Sequence, residues 1–89
     1  KAYTDDLTKL ANKTYFEDEL KKEFIKSTKA NKPLGLILFD IDDFKNINNT
    51  YGKRIGDELL IEFANLIQAN ISQKDIIARW GGDRFIQLL

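Results

Sequence analysis

The sequence predicts an α/β fold of the α+β kind, with helices packed on a small sheet in the order α-β-α-β-β. Three observations carry this. Apolar residues recur at helical spacing in two stretches, Phe16-Leu20-Phe24 and Ile55-Leu59-Leu60-Phe63-Leu66-Ile67-Ile71. Between them, Leu34 to Phe39 is a short continuous apolar run bounded by Pro33 and an acidic cluster, which reads as a strand covered on both faces. Finally, Gly81-Gly82 separates two short apolar segments as a hairpin turn, where both glycines can take positive φ.

Residues 1–12 are largely polar, with Leu7 and Leu10, and read as a linker or a short leading helix; residues 13–89 read as the first part of a single domain. Thr14 and Glu17 have capping-box spacing, so an amphipathic helix is predicted over 13–30, stopped by Asn31 and Pro33. The strand at 34–40 follows. Phe44, Ile47 and Tyr51 predict a short helix ending at Gly52, and the second apolar stripe predicts a helix over 55–71. Lys53 and Arg54 sit at its start, where positive charge opposes the helix dipole unless an anion is present. Asp75 to Arg79 is a short strand, and Asp83 to Leu89 begins the returning one.

Composition narrows the chemistry. The 89 residues suffice for one small domain, whose folding buries about two-thirds of the unfolded surface. Apolar residues make up 43% and charged residues 31%, a globular balance. Fourteen basic and fourteen acidic residues cancel, so nothing in the charge balance suggests a bulk binder of nucleic-acid polymers, and none is expected as a partner. With no Cys, disulfides, zinc ribbons and thiol catalysis are excluded; with no His, so are a Ser-His-Asp triad and a histidine base. No run approaches a membrane span. A Lys rather than a Met at position 1, and an end inside an apolar segment, suggest a piece of a longer chain.

The chemistry concentrates after the first strand. Asp40, Asp42 and Asp43 follow the apolar run, and strand alternation sends Asp40 and Asp42 to one side. Oxygen ligands at a strand end suit a hard cation holding a phosphate, although acids also end strands and cap helices. A strand, a crossover helix and a hairpin form the first half of a ferredoxin-like βαββαβ layout. There the hairpin's second strand lies antiparallel to the first, which brings Asp83 close to Asp40. Two such carboxylates repel by about 4 kcal/mol at about 4 Å and an effective dielectric near 20, so one is protonated or a cation sits between them.

Four blocks of the sequence resemble the GGDEF domain of diguanylate cyclases. They are Gly81-Gly82-Asp83-Arg84-Phe85 after Arg79-Trp80, Phe39-Asp40-Ile41-Asp42-Asp43-Phe44-Lys45, Asn48-Asn49-Thr50-Tyr51-Gly52 with Gly56-Asp57, and a leading motif of Asp5, Leu7, Thr8, Leu10 and Asn12. The resemblance implies a polymerase-palm-like fold and the condensation of two GTP into cyclic di-GMP with release of two pyrophosphates, between two domains that meet face to face. It implies Mg²⁺ (or Mn²⁺) on Asp40, Asp83 and the Ile41 backbone carbonyl, the two acids being catalytic. It implies guanine contacts from Asn48 and Asp57, and a phosphate contact from Lys45. The implied partners are GTP, a second such domain in a homodimer, and an attached sensor or effector domain. The implied setting is the cytoplasm, or the cytoplasmic part of a membrane-tethered sensor.

The chain departs from the family pattern in four places. The signature Glu is Arg84, which predicts weak or absent cyclase activity: Arg84 repels a metal, pairs with Asp83 or Asp40, or binds a phosphate itself. This leaves open a second reading, a non-catalytic GTP-binding or dimerisation module that regulates an attached domain. Lys53 stands where the family has His. The usual Arg of a product-binding Arg-x-x-Asp motif is missing from Ser72-Gln73-Lys74-Asp75, so no standard inhibitory site is expected. The family domain also continues for roughly as long again, so the fold is incomplete at its C-terminus and the first strand keeps an open edge.

Overall fold

A computed structural model describes residues 3–72 and 74–89. Its elements are α1 (Lys13–Ala30), β1 (Leu36–Asp40), α2 (Phe44–Tyr51), α3 (Lys53–Asn70), β2 (Ile76–Gly81) and β3 (Arg84–Leu88). This is the predicted order, with the crossover built from two helices. The sheet order is β1-β3-β2, antiparallel throughout, so the last strand is central. Paired residues share a face. Phe85 therefore sides with Phe39 and Arg79, and Ile86 with Leu38 and Ala78. The Phe85 face packs on Leu60, Ala64 and Phe63 of α3. The Ile86 face packs on Phe16 and Leu20 of α1.

Local signals explain most boundaries, with some corrections. The cap of α1 is Asn12, whose Oδ1 accepts from the Tyr15 amide at 2.9 Å, not the Thr14–Glu17 pair. Asn31 ends the helix in the left-handed region at φ 55°. Of the expected apolar stripe only Phe16 and Leu20 join the core; Phe24 is exposed. In the hairpin, Gly82 alone has positive φ, at 52°. A bulge at Trp80 gives β2 an extra residue, so Gly81 pairs with Arg84 and the turn falls on Gly82-Asp83.

The larger correction concerns β1. Leu36, Ile37 and Leu38 are 50%, 38% and 58% exposed, so the run is not covered on both faces. It pairs only with β3, and the helices cover the middle of the sheet instead. The open edge expected from the layout is present.

The leading segment is held against the sheet. Ala11 bridges Ala78 in parallel, the Arg79 amide donates to the Ala11 carbonyl at 3.0 Å, and Leu10 is buried. Asp5 accepts from the Thr8 amide (2.9 Å), the Thr8 hydroxyl (2.7 Å) and Arg79 Nη1 (3.2 and 3.3 Å to its two oxygens). Arg79 Nε donates in turn to the Gly82 carbonyl at 2.9 Å. A single ion pair thus ties the start of the chain to the glycine turn. Burial pushes the Asp5 carboxyl up, but the two Thr8 hydrogen bonds and the Arg79 guanidinium outweigh it and hold it below its ordinary value.

The folded carboxyl therefore binds its proton more weakly than the unfolded one. Its stabilisation is complete above the ordinary 3.8 and is lost as pH falls through the lower folded value. We expect Asp5→Asn to cost about 1–3 kcal/mol at neutral pH, a charge-assisted hydrogen-bond network being lost. The difference from the parent should shrink below pH 3.8. Urea unfolding midpoints against pH check this, and a constant gap down to strong acid contradicts it.

Candidate functional site

Three pieces of backbone meet at the carboxyl end of β1. The first is the strand end itself. β1 stops at Asp40, and Asp42 and Asp43 lie in the turn that follows, so strand alternation does not carry Asp42 to the side of Asp40. Ile41 packs against the core cluster that contains Phe85 and Leu60, which anchors the backbone just past Asp40. Asp43 sits in the left-handed region at φ 59° and makes no side-chain cap, leaving the first amides of α2 without one. Lys45 is exposed in that first turn and makes no ion pair among the described residues.

The second piece is the β2–β3 turn. The register sets Arg84 directly across from Asp40, with Asp83 one position earlier in the turn. Arg84 Nε lies 3.8 Å from Asp40 Oδ1, and the side chains are 60% and 56% exposed. A long, solvated pair of this kind contributes about 0–1 kcal/mol.

The third piece is the corner between α2 and α3. Gly52 alone joins the two helices, at φ 93° and ψ 161°, a conformation almost restricted to glycine. The fold-back lays Asn48 of α2 on Gly56 of α3. A Cβ on Gly56 would overlap Asn48 Oδ1 and meet the Phe44 ring at 3.3 Å. Asn48 Oδ1 is buried and has no hydrogen-bond partner among the described residues. A buried acceptor left unpaired costs about 1–3 kcal/mol, and such atoms invite a ligand donor. One position on, Asp57 Oδ2 accepts from Lys53 Nζ at 3.0 Å, in a pair whose Lys end is open to solvent while Asp57 is half-buried. Arg54 similarly lies 3.7 Å from Glu58. The basic patch at the start of α3 is thus partnered by acids of its own helix.

The sequence reading named Gly56 and Arg79 within its blocks but gave neither a role here. Gly56 carries a signal, since a glycine inside a helix costs about 1 kcal/mol against Ala and implies a packing reason. Arg79 carries none, because its partner Asp5 is 74 residues away. In the stretch expected to lack a product site, Gln73 lies outside the described residues, and Asp75 accepts from buried Gln87 at 3.0 Å.

The family described as "Diguanylate cyclase, GGDEF domain" matches residues 2–89. The chain belongs to the GGDEF domain family. It is 40% identical to the bifunctional diguanylate cyclase/cyclic di-GMP phosphodiesterase MucR of Pseudomonas aeruginosa, over 99% of this chain and 13% of that protein. It is also 40% identical to the response regulator PleD of Caulobacter vibrioides, over 99% of this chain and 19% of that protein. Among solved structures it is similar to the GGDEF domain of DgcB from Caulobacter crescentus in complex with c-di-GMP. The TM-score is 0.95 at 34% identity, covering 100% of this chain and 51% of that one. The chain thus spans about half of that structure and a fifth or less of these two curated relatives. No helix among the described residues is long and apolar enough to cross a membrane.

The GGDEF resemblance implies a divalent cation at Asp40 and Asp83, and the positive charge of Arg84 beside Asp40 opposes one there. Among the described residues no three acidic side chains gather into a group able to hold a metal ion. Asp40, Asp83 and Arg84 sum to a single net negative charge, and the guanidinium stands at the carboxylate a metal would use.

Proposed function

We propose that the chain is the guanine-binding part of a GGDEF module in cyclic di-GMP signalling, with weak or absent cyclase activity of its own. The observation that carries this is the buried, unpaired Asn48 Oδ1 cradled by Gly56. Guanine presents two adjacent donors and one acceptor along one edge. An Asn amide and a neighbouring carboxylate, Asp57, complement all three. The solvated Lys53 contact leaves Asp57 free to exchange partners. Lys45 and the uncapped start of α2 supply positive charge and free amides for phosphates.

Cyclisation would need Asp40 and Asp83 to act at the reacting phosphate, between two such modules in a homodimer. Arg84 on Asp40 opposes that role. It favours a regulatory module, one that holds GTP and acts on an attached domain. Such a module works on the cytoplasmic side, where GTP is found.

The test uses the full-length protein. Titration with GTP is expected to show saturable binding, while incubation with GTP and Mg²⁺ yields little or no cyclic di-GMP by chromatography. Rapid product formation contradicts the impaired-activity reading, and absence of GTP binding contradicts the nucleotide reading.

A further inference from the structure

Arg84 is a cation among the acids of this corner, and the guanine contacts do not explain its task. Its Nε approaches Asp40 at 3.8 Å, and its guanidinium makes no hydrogen bond among the described residues. A pair this long and this exposed is broken at little cost. The guanidinium is a rigid fork of donors, matched to two oxygens of a phosphate, and it is always charged. It projects from the first residue of the central strand, across from the strand end that leads into α2. The guanidinium sets a positive charge beside Asp40, where a divalent ion would have to sit.

We infer that the Arg84 guanidinium takes the place of the divalent cation, so that this site receives the polyphosphate of a guanine nucleotide free of metal. The inference rests on the nucleotide site proposed above. A free nucleoside triphosphate carries more negative charge than its magnesium complex, so a fixed guanidinium attracts the free form more strongly. The Asp40 carboxylate then acts as a placeholder, neutralising Arg84 until phosphate displaces it. A metal-holding corner behaves in the opposite way, because there Asp40 is a ligand and its loss weakens binding.

The test is calorimetric titration of the full-length protein with GTP, in excess EDTA and in excess Mg²⁺. The parent is expected to bind GTP at least as tightly in EDTA as in Mg²⁺. Asp40→Asn should leave that affinity unchanged or tighten it by about threefold, as the competing carboxylate is removed. Arg84→Glu should reverse the pattern, with EDTA weakening GTP by about tenfold or more, a difference of about 1.4 kcal/mol. Arg84→Gln, a shorter polar side chain without the charge, should weaken GTP in EDTA and gain no response to Mg²⁺. GTP binding by the parent that is lost in EDTA, or lost on Asp40→Asn, overturns this inference and leaves the guanine site standing. No GTP binding under either condition overturns both. Circular dichroism of each variant separates a failed fold from a failed site.

Discussion

Gly56→Ala is expected to lower GTP affinity by about 30-fold or more, roughly 2 kcal/mol, while the protein stays folded. The new methyl group would occupy the space of Asn48 Oδ1 and press on the Phe44 ring. Asn48 must then swing out of its cradle, and the acceptor offered to guanine leaves with it. The backbone itself gains from the change, since Ala is favoured over Gly inside a helix by about 1 kcal/mol. Binding and stability should therefore separate: the calorimetric affinity falls while the urea midpoint moves little. Unchanged GTP affinity in a folded variant would remove Asn48 from the site. Loss of fold would mean that Phe44 cannot give way.

Phe85→Ala is expected to cost about 3–5 kcal/mol, much of the roughly 5–15 kcal/mol that holds a typical domain folded. Phe85 is fully buried on the central strand, between Phe39 of β1 and Arg79 of β2. Its ring meets Phe63 of α3 edge-on at a centroid distance of 5.1 Å, and Phe63 meets Phe39 at 6.5 Å. Removing it opens a cavity where the sheet, α3 and the leading segment converge. Because Asp83 and Arg84 immediately precede it, the site is lost along with the fold. Phe24→Ala is the control: that ring is exposed, and the change should stay within about 0.5 kcal/mol. Chemical denaturation of the full-length protein measures both, and equal costs would contradict the packing described.

The fold was largely legible because its signals are local. Helical spacing of Phe16 and Leu20, and of Leu60 and Phe63, placed α1 and α3 close to their observed ends. Gly81-Gly82 located the hairpin, although a bulge at Trp80 moved the turn by one residue. What escaped depends on the number of neighbours an element has. The apolar run of β1 reports what its side chains are suited to, not how many strands flank it, so its exposure was invisible. The choice of Asn12 over Thr14 as a cap turned on one turn of backbone.

The site divides in the same way. Asp40, Asn48 and Asp57 stand out as residue types, and antiparallel pairing foretold that the second strand would return to Asp40. That Arg84, not Asp83, lies directly opposite follows from the register of β1 on β3, which no residue type announces. The contact between Asn48 and Gly56 depends on the unusual backbone of Gly52. The Asp5–Arg79 pair joins segments that only the finished fold brings together.

The central claim is that a buried amide oxygen on α2, held open by a glycine on α3, reads guanine. The most direct measurement is two-dimensional NMR of ¹⁵N-labelled protein titrated with GTP and, separately, with ATP. The side-chain amide of Asn48 and the backbone amide of Gly56 should shift and saturate with GTP, and stay in place with ATP at the same concentration. Equal shifts with both nucleotides, or saturation by GTP that leaves these two signals unmoved, would contradict it.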